Sequence, residues 1–241
     1  MGELITVRGL NKKFGAVTAL DNFDFDLNRN EIVGLVGDNA AGKSTFLKTV
    51  YGIHRPESGK IYIKGKESTI DNPSDARDMG IEIVFQDFML CPDLKGIENI
   101  FLGREKISFG FLRKDYMKNI LRHVLEKVCF EVNVDKVTGE LSGGQQQLIA
   151  ILRIFLFEPD ILLLDEPTAN LSKSAAKDFI AHLVPFVREM NAGIIYVSHN
   201  LEEVISISDR IIVMRRGKNV AELESSKATV SELLRYMMAK E

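Results

Sequence analysis

Cysteine is scarce in this 241-residue chain: only Cys91 and Cys129 occur, far apart in sequence. That excludes a disulfide framework, and no CxxC pair offers metal-ligand spacing. Two reduced thiols, as in a cytosolic protein, are expected. Long apolar runs are lacking too. The longest, Ile149 to Phe157, is short and carries Arg153, so no segment is expected to span a bilayer. The N-terminal stretch MGELITVRGLNKKF has no apolar core and does not read as a secretory signal. No run of Pro, Gly and Ser divides the chain, and no internal repeat appears. One domain over residues 1–241 is therefore expected. There is no excess of positive charge: 31 Lys and Arg stand against 34 Asp and Glu, a net charge of −3. That balance argues against nucleic acid as a partner. What is present, 45% hydrophobic and 27% charged residues, is the ordinary globular mixture and excludes disorder.

Near the N-terminus Phe23, Phe25 and Leu27 alternate with Asp24 and Asp26, the period of a half-buried antiparallel strand. Ile32–Val36, Lys60–Ile63, Ile81–Phe85, Ile161–Leu164, Ile194–Val197 and Ile211–Met214 read as further strands. Helical spacing runs over Lys43–Tyr51, Asp115–Cys129 and Ser142–Phe157. Lys173–Val184 reads as a helix broken or kinked by Pro185. Asn200 with Glu203, and Thr229 with Glu232, have capping-box spacing. Strands alternating with helices predict an α/β fold with a mostly parallel sheet. Antiparallel strands come first, and a helical stretch covers roughly residues 87–157.

Three segments carry chemistry. The first, Gly37-Asp38-Asn39-Ala40-Ala41-Gly42-Lys43-Ser44, matches G-x-x-x-x-G-K-[ST] between a strand and a helix. Backbone N–H groups at such a helix start wrap phosphate oxygens. Lys43 supplies charge to the β- and γ-phosphates, Ser44 a hydroxyl to Mg²⁺, and Thr45 can reach the α-phosphate. In the second, Ile161–Leu164 leads into Asp165 and Glu166, two carboxylates at the strand end where open α/β sheets bind ligands. Asp165 suits a role beside Mg²⁺, and Glu166 could orient an attacking water. The third is Leu141-Ser142-Gly143-Gly144-Gln145. Ser142 and Gln145 alone would explain a capped helix start. The glycine pair weakens the first turn and suits a second anion site, which suggests that two chains share each nucleotide.

The order of these pieces resembles the nucleotide-binding domain of ATP-binding cassette (ABC) transporters, over nearly the whole chain. The resemblance implies a P-loop NTPase of the ABC type. Its core sheet would be mostly parallel, with an N-terminal antiparallel β-subdomain and an inserted α-helical subdomain. It implies hydrolysis of ATP with Mg²⁺, in a head-to-tail homodimer. Ser142, Gly143, Gly144 and Gln145 of one chain would close over ATP held by the other. By matching positions, Gln86 resembles the glutamine that touches Mg²⁺ and senses the membrane partner. His199 resembles the histidine that contacts the γ-phosphate, and Phe14 the aromatic that stacks on adenine. The metal set would be Ser44, Gln86 and Asp165; the catalytic set, Glu166, His199, Lys43 and Gln86. Two positions depart from the pattern. Ala40 stands where Gly is usual and is accommodated if φ there stays below zero. Ser172 stands where Asp is usual, which bears on cross-talk between the two sites.

The stretches QDFMLCPDLKGIENIFLGR (86–104) and SHNLEEV (198–204) are similar to the monosaccharide-uptake branch, the ribose, xylose and galactose type. That implies a peripheral subunit on the cytoplasmic face of the membrane. Its partners would be integral permease subunits and, indirectly, a periplasmic or extracellular sugar-binding protein. Phe88, Leu90, Leu94, Ile97, Ile100 and Phe101 are candidates both for the permease surface and for helical-subdomain core. The alternative is an ABC-type ATPase of repair, translation or regulatory machinery. Against it stand the absence of long heptads between Lys43 and Ser142 and the presence of Glu166.

Overall fold

The structure, a computed structural model, describes residues 2–108, 111–128 and 132–238. They divide into two compact units. The first comprises Met1–Ile83, Pro159–Glu166 and Val187–Glu241; the second, Val84–Glu158 and Pro167–Phe186.

The first unit holds two sheets. One is antiparallel, ordered β2-β1-β4-β5, from β1 (Glu3–Phe14), β2 (Val17–Asn28), β4 (Ser58–Ile63) and β5 (Lys66–Ser68). Phe23, Phe25 and Leu27 of β2 are buried and Asp24 is exposed, as their alternation requires. The other sheet is ordered β12-β11-β3-β10-β9-β6. It is built from β3 (Ile32–Val36), β6 (Ile81–Val84), β9 (Ile161–Asp165), β10 (Gly193–Val197), β11 (Arg210–Arg215) and β12 (Lys218–Glu224). The pairs β9–β10, β10–β3 and β3–β11 are parallel, and β11–β12 is antiparallel. Every residue of β3, β9 and β10 is buried, which explains their continuous apolar runs.

Helix α1 (Lys43–Val50) is anchored by Phe46, whose ring lies 4.8 Å from Phe23 and 5.0 Å from Phe25. The β2 alternation thus fixes the helix that follows the Gly37–Gly42 segment. Helix α7 (Leu201–Ile207) lies close against β3. A Cβ on Gly34 would come within 2.4 Å of Val204 Cγ1, so only glycine permits the approach. Also in this unit are α2 (Pro73–Asp78), capped by Asn72 with Pro73 in its first turn, and α8 (Val230–Met238). Glu232 N–H donates to Thr229 Oγ1 at the start of α8 (3.2 Å).

The second unit is mainly helical: α3 (Gly96–Phe101), α4 (Lys114–Val128), α5 (Gly143–Phe157) and most of α6 (Lys173–Met190), with a small hairpin of β7 (Ile107–Ser108) and β8 (Phe111–Leu112). Its core includes Ile97, Ile100, Phe101, Met117, Leu121, Ile149 and Leu152. Two expectations need correction. Pro185 does not end the helix: α6 runs through it to Met190. Phe179, Leu183 and Val187, at i, i+4 and i+8, are fully buried, and that stripe outweighs the missing N–H. Glu203 does not complete a capping box with Asn200. Asn200 accepts from Glu203 N–H (3.2 Å), while the Glu203 carboxylate accepts from Tyr196 Oη (2.6 Å). Cys91 is a free, exposed thiol; Cys129 lies outside the described residues. No helix among the described residues is long and apolar enough to cross a membrane.

Candidate active site

The segment Gly37–Gly42 links β3 to α1 and turns back on itself. Ala41 N–H donates to Asp38 O (3.0 Å), and Gly217 N–H donates to Ala41 O (2.9 Å). Gly42 has φ 109°, and a Cβ there would lie 2.4 Å from Ala19 O, so glycine is required. Ala40 has φ 64°. The condition under which alanine fits without strain, a negative φ, is therefore not met: an alanine sits in the left-handed region, where its Cβ crowds the backbone. Such strain clusters at ligand sites.

Lys43 is 7% exposed. Its ammonium donates to Gly37 O (2.6 Å) and Asp38 O (3.0 Å), so it points back over the loop. Burial lowers its pKa from the ordinary value, against the opposing pull of Glu166, Asp165 and Asp38. The N-cap of α1, Gly42, offers no side-chain cap, and first-turn amides have no intrahelical partner. A buried cation beside an uncapped helix start is a donor set that fits a polyphosphate.

Asp165 ends β9 and Glu166 follows it, both buried. Glu166 has φ 53°, and its N–H donates to Val197 O (2.9 Å). This ties the turn to β10 and directs the side chain to the next loop. There Oε2 accepts from His199 N–H (3.3 Å), and Oε1 lies 3.4 Å from His199 Nε2. Oε1 is buried without a well-aligned hydrogen bond, leaving an acceptor that suits a water. Burial pushes the Glu166 carboxyl up from its ordinary value; His199 and Lys43 oppose that, and Asp165 adds to it. His199 itself is 55% exposed at the side chain.

Mg²⁺ is held by oxygen donors, commonly one or two carboxylates completed by substrate phosphates. The Asp165 carboxylate and the Ser44 hydroxyl are donors of that type. No group of three or more His, Cys, Asp or Glu residues among the described residues could hold a metal without substrate.

Phe14 is 44% exposed, not core. His54 meets its ring edge-on, centroids 5.0 Å apart, and Lys12 Nζ lies 5.3 Å from its centroid. Lys43, Asp165, Glu166, His199 and Phe14 all belong to the first unit; Gln86 and Ser142–Gln145 belong to the second. Gln86 is exposed. Ser142 caps α5 in a capping box, accepting from Gln145 N–H while Gln145 Oε1 accepts from Ser142 N–H. Ser172 Oγ accepts from Ala175 N–H in the first turn of α6 (3.2 Å). Of the apolar candidates after Gln86, Ile97, Ile100 and Phe101 are core; Phe88, Leu90 and Leu94 are half-buried.

Sequence reading missed Asn99. Its buried side chain accepts from Cys91 N–H (2.7 Å) and donates to Cys91 O (2.9 Å) and Thr138 Oγ1 (2.8 Å). It therefore clamps the segment after Gln86 to the turn before Ser142. An asparagine among apolar residues at helical spacing was the available signal.

A family model described as ABC transporter matches residues 20–169. The xylose/arabinose import ATP-binding protein XylG of Sulfolobus acidocaldarius is 36% identical over 238 residues, 98% of this chain and 94% of that protein. The ribose import ATP-binding protein RbsA of Caldanaerobacter subterraneus subsp. tengcongensis is 37% identical over 242 residues, 100% of this chain but 49% of that protein. The chain thus spans nearly all of one relative and about half of the other. Among solved structures, a nucleotide-free ATP-binding cassette from an ABC transporter superposes with TM-score 0.81 at 23% identity, covering 99% of this chain and 100% of that one. A bacterial ABC transporter cassette solved as a dimer gives TM-score 0.82 at 24% identity, covering 92% and 99%. These two likenesses establish the fold. The chain belongs to the ABC transporter family and is an ATPase cassette of the P-loop, ABC type.

Proposed function

We propose that this chain is the ATP-hydrolysing subunit of a membrane importer of simple sugars. It works as a head-to-tail homodimer bound to permease subunits at the cytoplasmic face, which a sugar-binding protein serves from outside. The observation that carries the reading is the buried Glu166 carboxylate, flanked by His199 and within electrostatic reach of Lys43. The 36% identity to a xylose/arabinose import ATP-binding protein along nearly its full length supports the transport role.

Positioning and electrostatics carry the chemistry. Lys43 and the first-turn amides of α1 hold the phosphates, and Ser142 and Gly144 of the second copy complete the cage. Glu166 Oε1 takes the proton side of a water and aligns it on the γ-phosphorus, while His199 holds the γ-phosphate. Ser44, Asp165 and Gln86 would hold Mg²⁺, which neutralises phosphate charge when bound. Phe14 stacks the base. As the water oxygen bonds to the γ-phosphorus, the bond from that phosphorus to the β–γ bridging oxygen breaks, the oxygen leaves with ADP, and the water gives up a proton to Glu166, so the products are ADP and inorganic phosphate.

Purification of the chain with its membrane partner, followed by ATPase assay in vesicles, tests the role. Turnover should rise when a pentose or hexose and its binding protein are present on the opposite side. A chain that hydrolyses ATP but binds no multi-helix membrane protein would overturn the transport reading and favour the soluble-machinery alternative.

A further inference from the structure

Between β10 and α7 the chain makes a short turn, Ser198-His199-Asn200. Its ends are tied on both sides. Tyr196, the penultimate residue of β10, is fully buried, and its Oη donates to Glu203 Oε1 at 2.6 Å. Glu203 sits in the first turn of α7, where its N–H donates to the Asn200 side chain (3.2 Å). Asn200 N–H in turn donates to Ser198 Oγ (3.1 Å). One side-chain hydrogen bond therefore spans the whole turn, and the residue at its centre is His199. The His199 N–H and ring both face the Glu166 carboxylate.

We infer that Tyr196 and Glu203 are positioning residues that hold His199 in register with Glu166 for hydrolysis. This rests on the proposed roles of His199 and Glu166. An exposed histidine on a short turn would otherwise sample several orientations. A short, charge-assisted bond from a buried strand to the helix start removes that freedom. The linkage is specific to the hydroxyl, because the Tyr196 ring is already fixed by burial. Neither residue needs to touch substrate.

The test separates positioning from general stability. Tyr196→Phe keeps the buried ring and removes only the hydroxyl. It should lower kcat about tenfold while KM for ATP changes less than about twofold, the pattern of an interaction lost in the transition state. Glu203→Gln, whose amide oxygen still accepts, should keep most of the turnover, and Glu203→Leu should behave like Tyr196→Phe. If Tyr196→Phe folds poorly, the Glu203 pair carries the comparison. The deciding step is a double-mutant cycle with His199→Ala, read in single turnover sensitive enough for a further tenfold loss. Tyr196→Phe should add no loss in the His199→Ala background. An equal loss in both backgrounds, or no loss in the single variants, would overturn the inference while leaving the His199 reading intact. Normal hydrolysis by His199→Ala would overturn the His199 reading, and the inference with it.

Discussion

At φ 64°, Ala40 holds a conformation that costs an L-residue about 1–2 kcal/mol. Ala40→Gly relieves the strain but loosens the unfolded chain by about 0.4–1 kcal/mol. The variant should therefore be more stable by about 0.5–1 kcal/mol, read from the urea midpoint at constant slope. A destabilised variant would mean that the left-handed turn is not strained. Two other groups set a pH window. Burial raises the Glu166 pKa above its ordinary 4.5 and lowers that of Lys43 below 10.5. A base acts only when deprotonated, so activity is lost as pH falls through the raised Glu166 value. A phosphate-binding ammonium must be charged, so activity is also lost as pH rises through the lowered Lys43 value. The profile of kcat/KM against pH should be a bell whose limbs are both drawn inward from those ordinary values. An acid limb at or below 4.5 would contradict the burial of Glu166.

The elements that carry the motifs are legible in sequence because their signals are local. The Gly37–Gly42 loop follows an apolar strand and opens a helix; Asp165 and Glu166 follow four apolar residues; Ser142 and Gln145 form a complete capping box. What sequence does not reveal depends on neighbours distant along the chain. Pro185 is carried inside α6 by the buried stripe of Phe179, Leu183 and Val187. The Glu203 carboxylate meets a hydroxyl from β10 instead of completing its cap. Neither partner is visible from spacing. Asn99 is the same kind of case. Its clamp joins Cys91 to Thr138 across the second unit. Asn99→Ala leaves buried polar groups without partners, at about 1–3 kcal/mol each. The total loss should be about 3 kcal/mol, with faster amide hydrogen exchange over Thr138–Ser142. A loss under about 1 kcal/mol with unchanged exchange would mean that the clamp does not hold the turn before Ser142.

Over the whole molecule, the proposed dimer requires each ATP to be shared by Lys43 of one copy and Ser142 of the other. Lys43→Ala removes a phosphate contact, and Ser142→Arg places bulk at the entering γ-phosphate. Each alone should be inactive. Random pairing makes half the dimers mixed and leaves half of their sites intact, so up to about a quarter of the activity should return on mixing. No recovery, together with no nucleotide-dependent crosslink between cysteines placed at Ser142 and near Lys43, would rule out the head-to-tail arrangement. The central claim is that the buried Glu166 carboxylate drives hydrolysis, and ATP turnover by purified Glu166→Gln tests it most directly. The amide keeps the shape of the side chain but is a poor base. Turnover should fall by about 10²–10⁴-fold, with ATP affinity retained and the ATP-bound dimer accumulating. Near-normal hydrolysis by that variant would contradict the account.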